Sequence, residues 1–219
     1  MQYIDFHTHT IPEDKKHVRA IVSCVAPEPL EKYENGNLFS YGIHPWYTKG
    51  HDIGKLLAHV RDMAHFNKVV AIGEAGLDKL KGPPMGEQKQ IFCYHIEISE
   101  EVKKPLIIHS VKANNEVLRL RKKMTPLQPW IIHGFSGHPQ EMQQFVDAGF
   151  YLSFGPKILY HNNRASESLA EVPDDRFFLE TDHTNKTISG LYDRAAGIRG
   201  ISLKELEQTI NKNFKTIFG

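Results

Sequence analysis

The sequence has few cysteines and no long apolar segment. Its two cysteines, Cys24 and Cys93, show no zinc-finger spacing, which predicts two reduced thiols and argues against a disulfide-rich secreted fold. No run approaches the roughly 18 apolar residues of a membrane-spanning helix. The first residues, MQYID, lack the basic and apolar regions of a secretory signal. We therefore expect a cytoplasmic protein with no membrane partner, and no feature indicates an obligate protein partner.

An excess of charge of one sign is also missing. The 27 Lys and Arg residues balance 26 Asp and Glu residues, so no strong overall field attracts nucleic acid, although a local basic cleft is compatible with this balance. The length of 219 residues and 40% hydrophobic content predict one domain over residues 1–219. Histidine is the compositional outlier, with 13 residues, and the positions of these residues matter more than their number.

Short apolar runs alternate with segments of helical spacing along the chain. One such segment places Ile91, His95 and Ile98 on one stripe, and another begins with the capping box Ser202 and Glu205. The eight runs, most with the composition of buried parallel strands, are YIDF, RAIVSCV, LFSYGIH, VVAIGEA, PLIIHS, WIIHGF, FYLSFG and FFLETD.

This alternation predicts an α/β fold, a TIM-like (β/α)8 barrel. Only about a dozen residues separate the first three runs, so the first two helices are expected to be short or missing. A distorted seven-stranded barrel is the alternative. A doubly wound sheet is less favoured, because no glycine-rich phosphate loop follows any run.

Residues that can bind a metal stand at or near the ends of five runs. Because the carboxyl ends of barrel strands meet on one face, we expect these side chains to lie close together. Each could have an ordinary structural role alone, but a buried group of unpaired charges would be costly without a cation. The six residues are His7, His9, Glu74, His109, His133 and Asp182.

Four histidines and two carboxylates exceed the needs of one tetrahedral zinc site. The set suits two divalent ions with a bridging carboxylate, an arrangement that generates hydroxide and stabilises the oxygens of a hydrolysed ester. The expected ions are Zn, Mn, Mg, Co or Ni, since nitrogen ligands disfavour Ca.

The chain resembles the TatD-type metal-dependent hydrolases, a family that includes deoxyribonucleases, in the order of its motifs over nearly its whole length. The combination of GEAGLD, HGFSG and LETD is specific, and IDFHTHT, YGIHPW and PLIIHS also match. The resemblance implies that His7 and His9 bind a first metal and that His109 and His133 bind a second. It implies that Glu74 bridges the metals and that Asp182 contacts the first. Glu74 and Asp182 would be catalytic, with Asp182 orienting or deprotonating the attacking water, and the substrate would be DNA or a small phosphodiester.

The sequence departs from the family pattern near the substrate. Lys112 stands where an Arg often occurs, the loop after Asp182 is shorter, and the chain is shorter than usual. His44, Lys112 and His183 are candidate substrate-binding residues. Basic and aromatic residues that could face single-stranded DNA at the metal site are Trp46, Tyr47, Lys49 and Lys157.

Two further carboxylates have alternative roles. Asp78 could orient a neighbour or bind substrate, or simply form a turn, and Glu180 could accept a hydrogen bond from a ligand histidine or form a buried ion pair. The RLRKK segment, residues 119–123, is expected to be a solvated helix face.

Three functions stay open at this point. The first is a phosphoesterase or nuclease of the TatD type. The second is hydrolysis of a small ester, lactone or amide on the same scaffold, and the third is a metal-binding barrel without catalysis. A histidinol-phosphatase-type phosphoesterase would require an Asp-x-His pair, which the adjacent Asp182 and His183 do not provide.

Overall fold

The computed structural model describes residues 2–30, 37–161 and 163–219. The chain folds as two compact units, Met1–Val22 with Ile132–Gly219 and Ser23–Ile131. Eight strands follow one another in the sheet in chain order. Within the described ranges, no helix combines the length and apolar character needed to cross a membrane.

The first unit contains both ends of the chain. Its helices pack beside three strands, and the strands β2 Val18–Val25 and β6 Trp130–Ile132 each have residues in both units. The other elements of this unit are β1 Tyr3–Thr8, α4 Pro139–Asp147, β7 Tyr151–Phe154, α5 Arg164–Glu171, β8 Phe177–Leu179, α6 Ile188–Arg199 and α7 Leu203–Phe218.

Strand pairing in the first unit brings the end of β8 beside β1. Residues of β1 pair in parallel with β2, and β7 pairs in parallel with β8. A parallel bridge joins Thr8 to Asp182, and the Asp182 N–H donates to the His7 carbonyl oxygen at 2.9 Å. Stacked rings of Phe6 and Phe178, 4.4 Å apart, fill the space between β1 and β8. The last residues of β1 and the segment after β8 are thereby held side by side.

The second unit is built around a long central strand, β4. The strands β3 and β5 pair with it in parallel, and the buried apolar residues include Ile72, Ile107 and Trp130. Asp52 caps the first helix by accepting from the Lys55 N–H, as its position before an amphipathic segment indicates. The elements are β3 Leu38–Gly42, α1 Ile53–Met63, β4 Val69–Asp78, α2 Met85–Val102, β5 Leu106–Val111 and α3 Asn114–Met124.

The positions of the eight predicted strands are confirmed, but β3, β6, β7 and β8 are shorter than the apolar runs. β6 has three residues and β8 also has three, so His133 and Asp182 lie beyond the strands themselves. The backbone of Asp182 is in the left-handed region, with φ of 53°, which interrupts the extended conformation. Residues 9–17 contain no α-helix, and neither do the described residues 26–30 before β3.

Candidate metal centre

The first group of possible metal ligands, which we call the first cluster, lies in the first unit and comprises His7, His9, His133, Asp182 and His183. His7 is fully buried in β1. The His9 N–H donates to the Asp182 carbonyl oxygen at 3.2 Å, next to the bond from Asp182 to His7. These two backbone bonds hold Asp182 opposite both His7 and His9.

The side chains of the first cluster face one another. The Asp182 Oδ1 atom lies 3.9 Å from His7 Nε2 and 3.6 Å from His9 Nε2. One ligand atom each from His7, His133 and Asp182 lies within 4.8 Å of the others, as does one each from His9, Asp182 and His183. The structure therefore brings five imidazole and carboxylate groups to the ends of β1, β6 and β8.

Glu180 orients a histidine of the first cluster. Its fully buried carboxylate accepts from the Gly134 N–H at 2.7 Å and lies 3.4 Å from His133 Nδ1. A histidine that donates from Nδ1 to a carboxylate keeps the lone pair of Nε2 for a metal. This geometry agrees with the acceptor role considered for Glu180.

Asp5 also supports the cluster, and the motif analysis missed it. Its buried carboxylate accepts from the N–H and hydroxyl of Thr181, at 2.9 and 2.7 Å. Burial raises the pKa of the Asp5 carboxyl to about 7, while the hydrogen bonds from Thr181 oppose the rise. Asp5 stands two residues before His7 in a strand, so the alternation of side chains is the signal that places both on one face.

His183 extends the first cluster toward solvent. Its exposed ring stacks on that of His9, with centroids 3.5 Å apart and planes 6° apart. This places His183 at the entrance side of the cluster. Lys112, the second candidate for substrate binding, lies directly after β5 and is exposed, and its role stays a prediction.

The second group, called the second cluster, lies in the second unit and comprises His44, Glu74 and His109. The Glu74 Oε1 atom lies 2.7 Å from His109 Nδ1 and 3.1 Å from His44 Nε2. All three residues are buried. Carboxylate and imidazole groups are donors that a divalent transition metal can use.

Hydrogen bonds determine which nitrogen of His44 carries the proton. The Trp46 N–H donates to His44 Nδ1 at 3.1 Å, so a neutral His44 has its proton on Nε2. That Nε2 atom lies 3.1 Å from Glu74 Oε1 and 3.3 Å from His109 Nδ1, so its N–H can donate to either atom. In this tautomer His44 holds the Glu74 carboxylate by donation and does not offer a lone pair.

Asp78 orients His109 from the opposite side. The Asp78 Oδ2 atom accepts from the Trp46 indole N–H at 2.7 Å and lies 3.3 Å from His109 Nε2. Its Oδ1 atom accepts from the Leu80 and Lys81 N–H groups. Burial raises the pKa of the Asp78 carboxyl, but these hydrogen bonds outweigh burial and hold the pKa below its ordinary value.

This contact sets the chemistry of the second cluster. A neutral His109 that donates from Nε2 to Asp78 turns the lone pair of Nδ1 toward Glu74. The lone pairs of Glu74 Oε1 and His109 Nδ1 repel at 2.7 Å, and the single Nε2–H of His44, which lies near both atoms, offsets this repulsion only in part. The residues present therefore fit a divalent metal ion.

Glycine allows β4 to carry these carboxylates so close to β5. A Cβ atom on Gly76 would lie 2.0 Å from the carbonyl oxygen of His109, and one on Gly73 would lie 2.3 Å from that of Ile107. The backbone of Gly76 has φ of 156° and that of Gly73 has φ of 124°. The two glycines of GEAGLD are thus required by the close approach of two backbones.

Comparisons with known proteins identify the family of the chain. Residues 19–219 match the family model described as TatD related DNase. The chain is 30% identical over 198 residues to the metal-dependent hydrolase YcfH of Escherichia coli K12, covering 83% of this chain and 73% of YcfH. It is 28% identical over 211 residues to the metal-dependent hydrolase YabD of Bacillus subtilis, covering 88% of this chain and 81% of YabD.

Comparison with solved structures confirms the predicted fold class. The crystal structure of YjjV, a TatD homologue from Escherichia coli K12, has a TM-score of 0.87 and 22% sequence identity, covering 99% of this chain and 97% of YjjV. The α/β, TIM-like (β/α)8 fold class is therefore correct. Taken with the match over residues 19–219, the chain belongs to the TatD family of metal-dependent hydrolases.

Proposed function

We propose that the protein hydrolyses phosphodiester bonds of DNA, with one divalent ion at each cluster and thus two ions per chain. The observation that carries this proposal is the pair of clusters in which a histidine is oriented by a buried carboxylate, Glu180 in the first and Asp78 in the second. The description of the matching family as TatD related DNase supports the substrate class. The bridging role of Glu74, the pairing of His133 with His109 and the single-domain organisation stay predictions.

The protein residues have distinct tasks in this reaction. Divalent ions bound by such ligands supply Lewis-acid stabilisation of the charge that develops on phosphoryl oxygens. The Asp182 carboxylate, half-buried beside His7 and His9, is placed to accept a proton from an attacking water. Glu180 and Asp78 hold the tautomers of His133 and His109.

The exposed ring of His183 gives the first cluster a contact for substrate. Because it stacks on His9 and faces solvent, it can donate a hydrogen bond to a phosphate oxygen as the substrate arrives. We assign it to substrate binding, together with Lys112. His44 is assigned to holding Glu74.

Metal analysis combined with matched variants tests the proposal. Purified protein supplied with Zn, Mn, Mg, Co or Ni is expected to retain about two ions per chain. Asp182→Asn and Glu74→Gln are each expected to reduce metal content and to lower turnover at least about a hundredfold. Asp193→Asn and Glu97→Gln, which remove the same charges from exposed helix positions, are the controls. Unchanged metal content and turnover in both cluster variants would contradict the site.

A substrate panel tests the reaction class. The metal-loaded protein is given a single-stranded oligonucleotide, bis(p-nitrophenyl) phosphate, p-nitrophenyl phosphate, p-nitrophenyl acetate and a lactone. We expect turnover of the two phosphodiesters. Turnover of the acetate or the lactone without either phosphodiester would replace this proposal with hydrolysis of a carboxyl ester, and no turnover at all would favour a metal-binding barrel.

A further inference from the structure

A groove opens in the first unit beside the loops that follow β6 and β7. Its volume is about 580 Å³, and its polar lining comes from both loops and from the beginning of α5. Ser136 follows His133 by three residues, and Lys157 follows the last residue of β7 by three. The polar and aromatic residues that line the groove include Ser136, His138, Lys157, Tyr160, Asn163 and Arg164.

The groove carries more positive than negative charge. The Lys157 ammonium donates to the Ser136 hydroxyl at 2.9 Å, and this hydrogen bond keeps the positive charge at the lining of the groove. Arg164 is exposed as the first residue of α5, and His138 adds an imidazole. Glu167 is the acidic residue of the lining and offsets part of this charge. Lysine as a point charge and arginine as a two-pronged donor together suit phosphate oxygens.

Tyr160 gives the groove an aromatic surface. Its side chain is 68% exposed, although a large ring of this kind is usually covered. A nucleobase can stack on such a ring only when it is not already stacked inside a duplex. Phosphate-binding side chains next to an exposed ring are the combination that binds a single strand.

The groove and the first cluster share the same loop. The segment that begins with His133 continues through Gly134, which is bonded to Glu180, to Ser136 in the groove. The Phe135 N–H donates to the Ser153 carbonyl oxygen of β7 and so ties this loop to the strand that precedes Lys157. A nucleic acid strand held in the groove would therefore lie beside the His133 end of the first cluster.

We propose that this groove binds the nucleotides of a single-stranded polynucleotide that flank the bond to be cleaved. Lys157 and Arg164 contact backbone phosphates, and Tyr160 stacks a base. The inference rests on the proposed function and adds to it a strand-binding subsite with a preference for unpaired substrate.

Removing the two cations tests the phosphate contacts. The double variant Lys157→Gln, Arg164→Gln is compared with Lys122→Gln, Lys123→Gln, which loses the same charge from the exposed face of α3. The groove variant is expected to raise KM for a single-stranded oligonucleotide about tenfold, and to raise it much more than KM for bis(p-nitrophenyl) phosphate, because the small ester has no flanking phosphates. The slope of log(kcat/KM) against log salt should decrease by about 1.4, about 0.7 for each lost phosphate contact. Equal effects of the two double variants would refute the subsite.

Tyr160 variants test the stacking contact. Tyr160→Ala is expected to weaken single-strand binding at least about fivefold, while Tyr160→Phe keeps the ring and binds as well as the natural chain. Phe66→Ala removes a 57% exposed ring from the second unit and serves as the control. Equal loss with Tyr160→Phe and Tyr160→Ala, or no loss with either, would exclude stacking.

Binding in the presence of EDTA separates this inference from the proposed function. Fluorescence anisotropy of a labelled oligonucleotide measures the groove without catalysis. If the natural chain binds the single strand more tightly than a duplex and the groove variant does not, the subsite stands even when no phosphodiester is cleaved. If the natural chain cleaves phosphodiesters but the groove variants bind single strands as tightly as it does, the subsite is wrong and the proposed function is retained.

Discussion

His95 should make the protein sensitive to mild acid. It is fully buried in α2, where its Nδ1–H donates to the Ile91 carbonyl oxygen at 2.8 Å and its Nε2 accepts from the Ile43 N–H at 2.9 Å. The second bond requires the neutral ring, because a protonated Nε2 cannot accept. Burial lowers the pKa of His95 from 6.5 to about 4, while the bond to Ile91 acts in the opposite direction.

The sign and size of the effect follow from these two pKa values. As the pH falls below 6.5 the unfolded chain takes up a proton at this position, whereas the folded chain does so only near pH 4. The stabilisation is thus fully present above pH 6.5 and is lost progressively as the pH falls toward the folded pKa. The difference between the two pKa values corresponds to about 3 kcal/mol in total, of which about 2 kcal/mol is lost between about pH 7 and 4.5.

Urea unfolding of His95→Gln at both pH values measures this contribution. The variant cannot titrate there, so its stability deficit relative to the natural chain should shrink by about 2 kcal/mol on going from about pH 7 to 4.5. For His65→Gln, at an exposed position, the difference in stability from the natural chain should be the same at both pH values within about 0.5 kcal/mol. Both variants keep the residues of the two clusters. Any destabilisation caused by loss of metal at low pH is therefore the same in the variants and in the natural chain, and it cancels in the comparison. If the difference in unfolding free energy between His95→Gln and the natural chain is the same at both pH values, His95 is not a buried neutral imidazole.

Three further substitutions test the packing that supports the clusters. Asp78→Ala should lower metal affinity at the second cluster about 10- to 100-fold, measured by zinc competition, because His109 loses the acceptor that fixes its tautomer. Gly76→Ala should cost more than about 3 kcal/mol in urea unfolding because of its backbone clash, whereas Gly86→Ala, with open space around it, should be neutral or stabilising by up to about 1 kcal/mol. Tyr192→Phe should cost about 1–2 kcal/mol in the same assay, because its buried hydroxyl both donates to and accepts from the β1 backbone. An unfolding midpoint equal to that of the natural chain would contradict either expected loss of stability.

The sequence was sufficient to predict most of the fold because the strands are marked by composition. Runs rich in β-branched residues, such as VVAIGEA, predict buried strands without any knowledge of their neighbours. The lengths of β6 and β8 were not predictable, because the residues after them still bond to neighbouring strands through single backbone hydrogen bonds, as Phe135 does to Ser153 and Glu180 to Phe154. His95 shows the same limit: its helical stripe predicts burial, but its partner Ile43 lies 52 residues away.

The candidate ligands were predictable because they end apolar runs, and the sequence also suggested Glu180 and Asp78 as supporting residues, whereas the support from Asp5 was not predictable. The partner of Asp5 is Thr181, 176 residues away in the chain, so only the folded structure reveals the contact. His44 was predicted to bind substrate, yet its tautomer depends on the Trp46 N–H, which no residue pattern describes. Lys157 was considered for DNA binding from its charge, but Tyr160 and Arg164 join it only through the shape of the groove.

The two clusters orient their histidines through opposite nitrogens. His133 faces Glu180 with Nδ1, whereas His109 faces Asp78 with Nε2, so the atom left for a metal is Nε2 in the first cluster and Nδ1 in the second. Each orienting carboxylate also accepts backbone N–H groups, such as that of Gly134, which satisfy part of its charge without a cation. These backbone contacts hold the carboxylate in place when a metal is absent, and the ring keeps its orientation. Ligand geometry is then set by the polypeptide before any metal arrives, which lowers the conformational cost of metal binding.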